Sequence, residues 1–111
     1  MKILAIICFS LASFPAFSDN ETSPLSKVNR ILSYTEYGQG DVIIKLESNG
    51  QQCEHGYWLR PSDPGFQANL STILSAYHAQ SNVILKGEPS NLWPGSSGSY
   101  CHIYQIDLRR S

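Results

Sequence analysis

The sequence has little charge, few cysteines and no long uninterrupted apolar run. Lysine and arginine number 8 and aspartate and glutamate 9 among 111 residues, for a formal net charge of -1. Basic residues this sparse exclude sequence-independent nucleic-acid binding, which needs clustered cations to displace counterions from phosphates. The apolar run from Ile3 to Phe9 continues through Leu11 and Phe14 but is broken by Ser10, Ser13 and Pro15. It falls short of the roughly 20 residues a membrane span requires. No stretch combines high charge with low hydrophobicity, which argues against a long disordered tail. The length allows one small domain and excludes two halves with separate cores. Also missing are a Gly-x-Gly-x-x-Gly fingerprint, a phosphate loop and a Gly-x-Ser-x-Gly turn; Gly95-Ser96-Ser97-Gly98-Ser99 has the wrong spacing. His55, His78 and His102 stand beside no obvious nucleophile, with Glu54 and Asp107 as the nearest acidic candidates. The expectation is a non-catalytic protein without cofactor or metal.

What is present points to export. Residues 1–18 carry Lys2, the apolar run, and small side chains at Ala16 and Ser18, the outline of a signal peptide cleaved after Ser18. The chain then divides into a signal (1–18), a flexible polar lead-in (19–26) and one domain (27–111), periplasmic or secreted and without a stable membrane anchor after cleavage. Cys8 leaves with the signal. Cys53 and Cys101 remain, and in an oxidising compartment they are expected to pair. A bond closing that loop removes about 4 kcal/mol of entropy from the unfolded chain in the simplest model. The competing reading is a metal site built on Cys53, His55, Cys101 and His102. On strands, Cys53 and His55 share a face while Cys101 and His102 point oppositely, so four ligands do not converge without distortion.

Periodicity supplies the elements. Lys27–Tyr37 is rich in strand formers and is broken by Gly38-Gln39-Gly40. Asp41–Ser48 alternates Val42, Ile44 and Leu46 against Ile43, Lys45 and Glu47, a half-buried strand. Asn49-Gly50 predicts a hairpin turn into a third strand, Cys53–Arg60, which stops at Pro61. Phe66, Leu70, Ile73, Leu74 and Tyr77 share one helical face, so a helix is expected from Phe66 to about Gln80 with those five side chains buried. The opposite face carries no charged residue. A fourth strand, Asn82–Glu88, a loop over 89–99 holding Trp93, and a fifth strand, Tyr100–Leu108, complete the chain. In that last strand Cys101 and Ile103 alternate on one face while Tyr104, Ile106 and Leu108 fall on the other, which calls for a bulge or a switch of face.

Three strands, one helix and two further strands is the order of a five-stranded Greek-key barrel of the OB type, mainly β with its helix between strands three and four. With the signal, Cys53, Gly56, the helix ending near Ala76, Val83 and Cys101, the layout resembles the small exported OB-fold proteins of bacteria, including receptor-binding B subunits of multisubunit toxins such as subtilase cytotoxin. The resemblance covers roughly residues 28–108. It implies a homo-oligomer and a glycan ligand held on the barrel surface.

Trp93 is the most informative side chain. Its loop, with that between the first two strands, borders the usual ligand face of such a barrel. Two placements are open to the indole: turned outward as a platform for a sugar ring or a partner's apolar anchor, or folded back over the barrel's open end. Trp93, Asn91, Ser96 and Tyr37 are therefore the candidate ligand residues. Two functions follow as expectations: an exported binding module for a glycan or protein surface, or an assembly subunit that forms a homo-oligomer through its uncharged helix face.

Overall fold

The structure is a computed structural model in which residues 20–110 are described; the segment expected to be a signal lies outside them. It is mainly β with one helix. The elements are β1 (Glu21–Thr22), β2 (Ser26–Ser33), a 3-10 turn (Tyr37–Gln39), β3 (Val42–Leu46), β4 (Gly56–Leu59), α1 (Phe66–Ala79), β5 (Asn82–Leu92) and β6 (Tyr100–Leu108). β2, β3 and β4 pair antiparallel in succession, β4 pairs parallel with β6, and β6 pairs antiparallel with β5. β5 also takes β2 as a partner through Ser26 opposite Val83, so the pairings return to where they began. β1 adds to β5 at Glu21–Gly87 and Thr22–Lys86.

Alternation along the strands sorts their side chains into two apolar clusters. Val42, Ile44 and Leu46 of β3 and Tyr57 and Leu59 of β4 face inward with Val83, Leu85, Cys101 and Ile103. Ile43 and Trp58, one residue out of phase, form a second cluster with Trp93 on the opposite face. In β6 the pairing skips Tyr104 between Gln105–Lys86 and Ile103–Gly87. That bulge changes the inward parity, so Ile103 and Ile106 both reach the core while Tyr104 is exposed.

The expected disulfide is present. Cys53 and Cys101 are bonded with their Cα atoms 5.3 Å apart, and both are fully buried. Gly87 faces them: a Cβ there would lie 2.9 Å from Cys101 Cβ and 3.0 Å from Cys53 Sγ, so the bond occupies the space a side chain would take. Tyr57 packs in the same core, and its hydroxyl accepts from the Gly50 N–H at 3.0 Å. Burial pushes the Tyr57 hydroxyl pKa up.

Three expectations are corrected. Asn49-Gly50 is not a two-residue hairpin; residues 47–55 form a longer connection in which the Asn49 side chain accepts from the Leu46 N–H and donates to the Glu54 carbonyl. The side chain thus bridges the ends of the connection in place of a tight turn. Residues 20–26 are not a loose lead-in, since Ser23 is buried, donates its N–H to the Leu85 carbonyl and accepts the Leu85 N–H on Oγ. The Glu21 carboxylate accepts the Gln52 N–H. Finally, the buried helix face is turned: Ile73 and Ala76 are buried with Phe66 and Leu70 packed beside them, whereas Leu74 and Tyr77 are 40% and 44% exposed. A small residue, Ala76, thus occupies the buried face with Ile73, where the larger Leu74 and Tyr77 were expected.

The turned face makes a prediction. Ile73→Ala should cost about 2 to 5 kcal/mol in equilibrium denaturation, and Leu74→Ala less than about 1 kcal/mol. Equal losses would show that the helix buries both.

Candidate functional site

The outer face of β3 and β4 is closed over by the loops at either end of it. Trp93 is folded back and only 6% exposed, on the cluster of Ile43 and Trp58 with Leu32 and Tyr100 beside it. This corrects the picture of an indole turned outward. It also differs from a cap on the main core, because the cluster lies on the other side of the strands. The indole N–H donates to Asp41 Oδ2 at 2.9 Å, joining two loops 52 residues apart. Its ring meets Tyr34 and Tyr37, each with centroids 5.5 Å away, and Tyr100 at 5.7 Å. Tyr37 remains 46% exposed, so tyrosine and not tryptophan forms the outer surface of this aromatic group.

The turn preceding Asp41 is shaped around its carboxylate. Gly38, Gln39 and Gly40 have φ of 62°, 68° and 113°, and the N–H groups of Gly40 and Asp41 both donate to the Tyr37 carbonyl. A Cβ at Gly38 would collide with the Asp41 carboxylate, so glycine is required by close approach as well as by the left-handed backbone. Asp41 is 2% exposed, and its Oδ1 has no hydrogen-bond partner.

Beside this turn lies a cleft of about 420 Å³ lined by Gly38, Gln39, Asp41, Trp58, Arg60 and Ser62, with Pro61 and Pro94. The Arg60 guanidinium lies over the Trp58 ring, 5.3 Å from its centroid, and its Nε donates to Asp63 Oδ1 at 2.9 Å. Asp63 Oδ2 contacts His102 Nε2 at 2.7 Å, and His102 Nδ1 contacts Glu88 Oε1 at 2.7 Å. A second cleft of about 300 Å³ is lined by Asp63, Asn69, Glu88, His102 and Tyr104, among others. The chain of ionisable groups from Glu88 to Arg60 therefore connects two clefts. Burial opposes charge on Asp63, but the hydrogen bonds from His102 and from the Arg60 N–H and guanidinium outweigh it and hold the carboxyl below its usual range.

Of the four residues named from the sequence, the structure brings Tyr37 and Trp93 into contact. Asn91 contributes its carbonyl, which accepts the Trp58 indole N–H at 3.0 Å. Ser96 is exposed, and its Oγ accepts from the Gly98 N–H within its own loop. None of the four lines the cleft beside Asp41. His55 lies apart from His102 in function: its Nδ1 accepts the Ser99 N–H at 2.8 Å and so buttresses the loop after Trp93. The sequence reading missed Asp41, Arg60 and Asp63. The one local signal was Gly38-Gln39-Gly40-Asp41, taken only as a strand break.

No family model, curated protein or solved structure matches the chain. Among the described residues no helix is long and apolar enough to cross a membrane, and no group of three His, Cys, Asp or Glu side chains is placed to hold a metal ion.

The depressed Asp63 pKa sets the sign of a pH effect. Its contribution is fully present above the unfolded value of about 3.9 and is lost as pH falls through the lower folded value. Asp63→Asn should therefore be about 1 to 3 kcal/mol less stable than the parent near pH 6, a gap that narrows below about pH 4 in urea unfolding. A gap independent of pH would remove the charge from the explanation.

Proposed function

We propose that this is an exported, non-catalytic binding module with an OB-type barrel, which recognises a glycan on the outer face between the 37–40 turn and the 93–99 loop. The fold part is supported by the closed circuit of pairings: three successive antiparallel strands, a parallel contact between the third and the last, and a helix between the third and fourth strands of the circuit. The buried disulfide suits an oxidising compartment. One observation carries the ligand reading: the cleft beside Asp41 combines the Trp58 ring and two prolines with polar walls, against the turn that begins at Tyr37. Sugar rings use both kinds of surface, stacking an apolar face on an aromatic ring while their hydroxyls bond to polar groups at the edge.

Trp93 supports this surface from beneath. Tyr37→Ala should leave stability within about 1 kcal/mol of the parent and abolish binding on a glycan array, whereas Trp93→Ala should lose about 3 to 5 kcal/mol. Retained glycan binding by Tyr37→Ala would move the site elsewhere.

A second reading, assembly through the helix, is favoured by Leu74 and Tyr77, both exposed on a helix whose residues carry no Asp, Glu, Lys or Arg. Light scattering separates the two. A stable oligomer that becomes monomeric with Leu74→Glu supports assembly, and a monomer at all concentrations removes it.

A further inference from the structure

We propose that Asp41 is the acceptor for a ligand hydroxyl, and that the cleft beside it selects an uncharged sugar ring. This deepens the glycan reading above and rests on it. A carboxylate is an acceptor on both oxygens, and leaving a buried one unpaired costs free energy. Asp41 uses Oδ2 for the Trp93 indole, yet Oδ1 is buried without a partner while the residue lines the cleft. The unused oxygen needs a donor, and a hydroxyl is a donor without charge.

The other polar group of the cleft narrows the class. Arg60 has donors only, its Nε is held by Asp63, and its side chain is 40% exposed. An acceptor at one place and a donor at another suit the hydroxyls of a single neutral ring, since each hydroxyl both donates and accepts. A cationic ligand would meet Arg60 unfavourably, and an anionic one would meet Asp41. Trp58 and the two prolines supply the apolar surface between them. Gly38 lies directly against the carboxylate and Oδ1 is buried, so the 38–40 turn has to move aside when the ligand hydroxyl binds.

The chain has two tryptophans, so each indole N–H is resolved in a nitrogen–proton correlation spectrum. The oxidised protein is titrated with methyl glycosides of glucose, galactose and mannose, and with methyl glucuronide and methyl glucosaminide as charged counterparts. At least one neutral glycoside should shift the Trp93 indole signal, which reports on the same carboxylate, together with the Gly38 and Gln39 amides. Asp41→Asn keeps an oxygen for Trp93 but offers an amide in place of the free oxygen, and should weaken that glycoside by about 10-fold or more. If this variant does not fold, the shifts in the parent protein decide. Tighter binding of a charged glycoside, shifts that avoid Gly38 and Trp93, or unchanged affinity in Asp41→Asn would overturn the Asp41 proposal and leave the glycan reading standing. Absence of shifts with every glycoside, together with a blank glycan array, would overturn both.

Discussion

The bond between Cys53 and Cys101 is the constraint around which the fold is arranged. It joins the 47–55 connection to the second residue of β6, in the register where Tyr57 stands opposite Cys101 in the parallel β4–β6 pair. Parallel neighbours cannot be joined by a short turn, and here everything from Arg60 to Ser99 lies between the strands. A covalent bond beside their junction holds the two strands without depending on that long excursion. The core is fitted to the bond: Gly87 of β5 leaves its side-chain space to Cys53 Sγ and Cys101 Cβ, and the Tyr57 ring lies against the same point. Replacing Gly87 would therefore press on β4, β5 and β6 together, which makes an inconspicuous glycine one of the least replaceable residues of the domain.

Features set by local pattern or by the number of cysteines were legible in the sequence. The cysteine pair, the extent of the helix and the bounds of β6 follow from residue type and period, and the broken alternation at Tyr104 is the bulge seen in the pairing. The helix phase was not legible, because ranking Leu74 and Tyr77 by hydrophobicity ignores what a small residue permits. Ala76 takes the buried position beside Ile73, and its larger neighbour Tyr77 lies off that face. The Asn49-Gly50 pair misled for a different reason: asparagine favours tight hairpins, but its side chain can equally bond to nearby backbone, and here it does so across the connection.

The outer face was legible only as a collection of aromatic residues. Trp93 in a loop rich in proline and glycine lacks local partners, and its actual partner, Asp41, is remote in sequence. Nothing in the local composition marks an aspartate after Gly-Gln-Gly as the acceptor for an indole. The same holds for Arg60, Asp63, His102 and Glu88, whose adjacency depends on β5, β6 and the segment between β4 and α1 meeting at one place. Ionisable residues on three separate segments form a connected group only once the strand order is known.

Core and candidate site are nevertheless the same strands seen from two sides. On β3 and β4, Ile44, Tyr57 and Leu59 face the disulfide side while Ile43 and Trp58 face Trp93. A shift of either strand by one residue would exchange these sets, burying the residues of the outer face and exposing those of the core. The register that buries the disulfide therefore also places Trp58 beneath Arg60 and beside His102. The packing of the core and the shape of the outer surface depend on a single variable, the register of β4 between β3 and β6. That coupling explains how a strand of only four residues, Gly56–Leu59, is buried on both faces: each face is fixed by a different long-range partner, and neither can slip without the other.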